Sequence, residues 1–217
     1  MTRLALGLLF LCPLIAADTD VDRLLKGVEE RYNHARTLEV GFAETYSVNG
    51  RARKTEEGVL YLRKPGRMRW EYTKPAGKLF VSDGKDVYFY TPTGNRAEKM
   101  ALKETEDMRA PLAFLLGKLD FRKDFDHFAV GAGEGGTTIT ALPKSDKLPY
   151  RQVEFTVTPQ FEIRKLNVTA QDASVISYVF TNEKVNPPVN DQQFKFVLPP
   201  GATFVNSSAN SGQGGGN

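Results

Sequence analysis

Over most of its length the chain alternates hydrophobic and polar residues with period two, and two stretches depart to helical spacing. Leu38, Val40 and Phe42 alternate with Glu39, Gly41 and Ala43, the pattern of a strand with one buried face. Val153, Phe155 and Val157 alternate in the same way with Gln152, Glu154, Thr156 and Thr158. The densest stretch is 58–95, where four runs rich in Val, Leu, Phe, Tyr and Trp are separated by Lys64-Pro65-Gly66, Lys74-Pro75-Ala76-Gly77 and Asp83-Gly84. Asp-Gly between apolar runs favours a tight hairpin, because both positions tolerate positive φ. Asn49-Gly50 gives the same signal earlier.

These runs predict strands near 38–43, 55–63, 67–72, 78–82, 87–91, 97–101, 127–131, 137–142, 152–158, 161–169, 174–182 and 193–198. The departures predict helices. Leu24, Leu25, Val28 and Tyr32 share one face of a helix over 20–36, with Asp20 as its cap. Met108, Leu112, Leu115 and Leu116 form an apolar stripe. Pro111 suits a first helical turn and Gly117 a helix end, which predicts a short helix over 110–116. Short connections make the sheet antiparallel, and a sheet of about eleven strands tends to curl, so its apolar face becomes a concave lining. The inward set by alternation is Leu60, Leu62, Met68, Trp70, Tyr72, Val87, Phe89, Val153, Phe155 and Val157.

The chain ends are different in kind. Arg3 precedes an apolar core from Leu4 to Ile15, and Ala16-Ala17 stands before Asp18. That order predicts a secretory signal peptide over 1–17. Its apolar run is shorter than the roughly 20 residues needed to span a bilayer. The sole cysteine, Cys12, lies inside this run, after Leu11 where an acylated lipoprotein cysteine wants a small residue. Acylation there would instead mark a lipid-anchored receptor. The mature chain then has no disulfide, and its core must suffice alone. Residues 206–217 are Ser, Asn, Gly, Gln and Ala only, which predicts a disordered tail after one domain over 18–205.

The net charge of +3, lowered by one if Arg3 is removed, is too weak for nucleic acid to be the main partner. Two basic groups stand out: Arg51, Arg53 and Lys54, and Arg63, Lys64, Arg67 and Arg69. They suit either a solvated sheet surface or a landing patch for an acidic partner or lipid head groups. The chain contains no Gly-x-Ser-x-Gly, no His-Glu-x-x-His, no phosphate-cradling loop and no metal-ligand cluster. His34 and His127 lie among polar neighbours. Gly133-Glu134-Gly135-Gly136 joins two strands and reads as a hairpin loop. An enzyme would have to act through scattered carboxylates. Lys64 follows Leu60 and Leu62 on the apolar side, at the strand end, where it could bond carbonyls at the end of a covering helix or snorkel to water.

The ordered motifs Gly58-x-Leu60-Tyr61-Leu62-Arg63-Lys64-Pro65, Arg69-Trp70-x-Tyr72, Val81-Ser82-Asp83-Gly84-Lys85 and Val87-Tyr88-Phe89-Tyr90 resemble the LolA family of periplasmic outer-membrane lipoprotein carriers. Pro111-Leu112, Leu142-Pro143-Lys144, Phe194-x-Phe196 and Pro199-Pro200-Gly201 extend the resemblance over most of the chain. The resemblance implies an α+β fold, an unclosed and strongly curved antiparallel half-barrel with a helical lid. It implies a monomeric, periplasmic, non-enzymatic carrier with no cofactor. Such a carrier takes acylated lipoproteins from an inner-membrane ABC transporter and delivers them to an outer-membrane acceptor. A receptor or envelope-stress sensor of the same fold is the alternative. The ten inward residues would then line the acyl-chain cavity, with Leu112, Leu115 and Leu116 as the lid and Lys64 as its latch. Family members often carry Arg at the Lys64 position; lysine lacks that residue's planar fork.

Overall fold

The computed structural model describes residues 16–102, 119–146 and 148–205. The apolar run expected to be a leader, the helix expected over 110–116 with its stripe, and residues 206–217 lie outside the described residues.

The alternating segments form one 12-stranded sheet. Its strands are β1 (Thr37–Val48), β2 (Arg51–Arg63), β3 (Arg67–Lys74), β4 (Ala76–Asp83), β5 (Asp86–Thr91), β6 (Arg96–Ala101), β7 (Phe125–Gly133), β8 (Gly136–Pro143), β9 (Tyr150–Val157), β10 (Ile163–Ala170), β11 (Val175–Val185) and β12 (Thr203–Val205). The spatial order is β12-β6-β5-β4-β3-β2-β1-β11-β10-β9-β8-β7. Two meanders therefore meet where β1 pairs with β11. Neighbours are antiparallel except that β12 adds to β6 in parallel. β12 and β7 are the two edges, and they do not pair, so the sheet is open. It is also curved: Val87 near one edge and Ile139 near the other belong to a single buried cluster.

Helix α1 (Ala16–His34) fills the curve. It starts ahead of Asp20, which lies inside it rather than capping it. Its stripe of Val21, Leu24, Leu25, Val28 and Tyr32 is buried in that same cluster, as helical spacing requires. A one-turn helix α2 (Phe121–Asp124), capped by the Asp120 side chain, leads into β7.

The strand expected over 193–198 is not one. Asn190 and Gln193 form a reciprocal capping box around a 3-10 helix over Asp191–Phe194. Beyond it the chain pairs with no strand until Thr203. Phe194 is buried, Phe196 stacks on Tyr88 at 5.0 Å, and Leu198 packs near Tyr90 and Ala97. The alternation of Phe194, Phe196 and Leu198 thus reflects side chains lying on the outer face of the sheet, not a hydrogen-bonded ladder.

Candidate functional site

Strand register assembles the concave face. Val40, Leu60, Trp70, Phe80 and Phe89 are successive partners across β1 to β5. Tyr178, Leu166, Phe155 and Ile139 do the same across β11 to β8. Period-two alternation then puts Leu62, Met68, Tyr72, Val87, Val153 and Val157 on that face as well. The structure brings all ten expected inward residues together: nine are buried in the one cluster, and Phe89 packs against it partly exposed.

Some members of the face, and the contacts of others, are not evident from alternation. Phe80 lies in Leu79-Phe80-Val81, where every residue is apolar and neither parity stands out; pairing with Trp70 turns it inward. Phe42 and Phe180 are partners at the β1–β11 junction, a pairing of strands far apart in sequence. Gly58 makes room for Phe42, whose ring lies 2.8 Å from where a Cβ on Gly58 would sit. The result is an aromatic wall. Phe42 meets Trp70 edge-on at 4.6 Å and Tyr72 at 5.0 Å; Trp70 lies 5.8 Å from Tyr178, which stacks on Phe180 at 6.0 Å. Such pairs add about 0.5–1.5 kcal/mol each beyond the area they bury.

The face is polar at both ends. At one end Lys64 donates from Nζ to the Tyr32 carbonyl, 2.8 Å away in the last turn of α1. The last carbonyls of a helix lack partners within it, and a cation there also complements the helix dipole. Burial pushes the Lys64 ammonium below its ordinary value. The expected lid residues Leu112, Leu115 and Leu116 lie outside the described residues, so the observed partner of Lys64 is α1. At the opposite end the Tyr72 hydroxyl donates to Glu44 at 2.9 Å, while Lys78 sits 4.1 Å over the Tyr72 ring and pairs with Glu56.

Helix α1 is tied down around the face. Arg31 donates from Nε and Nη2 to Glu183 at 2.9 and 2.6 Å, and the Tyr32 hydroxyl donates to the same carboxylate at 2.7 Å. The Tyr32 oxygen in turn accepts the Ile163 amide at 2.9 Å. Burial, and then the Glu183 carboxylate, push the Tyr32 phenol well above its usual value. On the other side of the helix Asn33 makes a two-way bond with the Leu119 backbone, at 2.8 and 2.7 Å. Glu29 accepts the Phe121 amide at 2.8 Å. The chain therefore re-enters the described structure after residue 118 directly on α1.

The two basic groups have separate fates. Arg51, Arg53 and Lys54 are exposed on β2 beside the Asn49-Gly50 turn. Arg63 and Arg67 instead share Asp191, and Arg69 bonds Glu71 and the Gln193 carbonyl. Arg63, Arg67 and Arg69 thus meet the 3-10 helix on the outer face, while Lys64 turns to α1. Both histidines are exposed.

The family model described as outer membrane lipoprotein carrier protein LolA matches residues 33–197. The chain belongs to the LolA family. A LolA relative named outer-membrane lipoprotein carrier protein, from Sodalis glossinidius, is 28% identical over 94% of this chain and 95% of its own. One of the same name from Dechloromonas aromatica is 27% identical over 90% and 91%. Among solved structures, an uncharacterized conserved protein from Thermus thermophilus superposes with a TM-score of 0.53 at 12% identity, covering 86% of this chain and 99% of its own. That likeness concerns the fold alone. The LolA motifs seen in the sequence map onto the concave face and its rims: Leu60, Leu62, Trp70 and Tyr72 line it, and Lys64 stands at its α1 end.

Proposed function

We propose that this LolA-family protein is a periplasmic chaperone that binds the acyl chains of lipoproteins and carries them from the inner to the outer membrane. The observation that carries the reading is the continuous apolar face spanning both meanders, with Lys64 at one end and Tyr72, Glu44 and Lys78 at the other. Each methylene removed from water contributes about 0.8 kcal/mol without any directional bond. A lining of that kind accepts many cargoes that share acyl chains. The names of the LolA relatives support the same reading.

Carriage makes and breaks no covalent bond and uses no cofactor. An inner-membrane ABC transporter would load a monomeric carrier, and an outer-membrane acceptor would unload it. In this reading Leu60, Leu62, Met68, Trp70, Tyr72, Val87, Phe89, Val153, Phe155 and Val157 contact the chains. Leu112, Leu115 and Leu116 cover the unloaded face and compete with cargo for it. Lys64 steadies the cover.

Native mass spectrometry after co-expression with a bacterial lipoprotein tests the proposal. A one-to-one complex is expected with the acylated cargo and none with a variant whose acylated cysteine is replaced. Equal capture of both cargoes would overturn binding through acyl chains. Turnover of acyl esters by the purified protein would overturn simple carriage.

A further inference from the structure

Among the described residues, the concave face contains one buried hydrogen-bond donor with no acceptor. Trp70 is 2% exposed, and its Nε1–H has no partner. Leaving such a group unpaired is unfavourable by about 1–3 kcal/mol, a penalty that phenylalanine at the same position would avoid. Further along the face, the Tyr72 hydroxyl is engaged with Glu44, and Lys78 with Glu56. The indole is a donor only, so whatever completes it must bring an acceptor. The rings of Phe42 and Tyr178 flank it at 4.6 and 5.8 Å, surroundings in which an unpaired charge is strongly disfavoured. An uncharged acceptor therefore suits the site better than a charged one, and an acyl carbonyl supplies one together with an apolar chain.

We infer that the Trp70 indole donates a hydrogen bond to an ester or amide carbonyl of the bound acyl group, which sets the depth at which the chains sit on the concave face. Two residues along the same strand the face turns polar at Tyr72, Glu44 and Lys78. The polar end of the ligand is accordingly placed toward Tyr72, and its chains toward Met68 and Leu62. This assignment rests on the carriage reading and adds to it a polar contact that selects acyl over alkyl chains.

Trp70 is the only tryptophan, so 15N-tryptophan labelling yields a single indole N–H resonance. The full-length protein is titrated with a synthetic lipopeptide bearing two ester-linked chains, and with its dialkyl ether analogue of equal chain length. The ester is expected to move the indole proton downfield and to bind roughly fivefold to tenfold tighter than the ether. Trp70→Phe should erase that preference, so that the ester and the ether then bind with equal affinity whatever their absolute affinities. Binding of both lipopeptides with equal affinity and no indole shift would overturn the carbonyl assignment and leave carriage standing. Failure of the wild-type protein to bind either lipopeptide would overturn carriage and the assignment together. The indole readout needs no variant, so it stands even if Trp70→Phe folds poorly.

Discussion

Lys64 is where a single side chain most directly joins the rim of the concave face to helix α1. Alternation places it on the apolar side with Leu60 and Leu62, and the structure gives its ammonium a helix carbonyl instead of open water. The bond fixes the end of α1 through a group that is itself disfavoured by burial. A lysine forms this contact as a point charge on a flexible stem, whereas arginine would offer a planar fork and more donors. Lys64→Leu removes the donor and keeps the apolar stem. The rate of release of a fluorescent acylated peptide should change by about tenfold to a hundredfold, the worth of one charge-assisted hydrogen bond, with the capture rate within about twofold. Stopped-flow measurement of both steps checks this, and equal effects on the two would count against a latch.

Helix α1 illustrates how tertiary packing can reverse the ranking that helix propensity gives. Gly27 lies inside it, where alanine would ordinarily be favoured by about 1 kcal/mol. A Cβ at position 27 would come within 2.3 Å of the Phe161 ring. Phe161 has little freedom to withdraw, because its backbone is held at a φ of 62° and its amide donates to the Thr158 carbonyl. Gly27→Ala should therefore destabilise the protein by about 1–3 kcal/mol, as overpacking does. Urea unfolding followed by circular dichroism measures it, and a gain in stability would show that the ring yields. The same close approach explains how α1 lies deep enough in the curved sheet for Val28 to be fully buried.

Across the whole molecule, the C-terminal segment turns an open sheet into a two-sided structure. After β11 the chain crosses the outer face, seats Phe194 near β3 and β4, stacks Phe196 on Tyr88, and ends as a parallel strand on β6. Apolar contact, rather than the Asp191 pairs, carries this attachment. Phe194 is 1% exposed, whereas Asp191 and its two arginines are substantially exposed. Phe194→Ala should lower stability by about 3–5 kcal/mol, and Asp191→Asn by under about 1 kcal/mol. Comparative urea melts of the two variants check the contrast. A larger effect for Asp191→Asn would mean that the ion pairs govern docking.

Local pattern determined much of this. Alternation in β2, β3, β5 and β9 identified ten residues of the concave face, because a strand with one buried face must repeat every two residues. Helical spacing identified the α1 stripe for the same kind of reason, and the ordered motifs of 58–90 pointed to the family. Tertiary structure decided what no local period encodes. Phe80 turned inward because Trp70 is its partner. Phe42 met Phe180 because the first and last long strands pair at the centre of the sheet. Phe194 and Phe196 alternate like a strand yet pack as a strap, since burial against an outer face imposes the same period as a ladder. The partner of Lys64 and the unpaired indole of Trp70 belong to that second class: a side chain's surroundings are made by residues distant in sequence, and only the folded chain brings them within hydrogen-bonding reach.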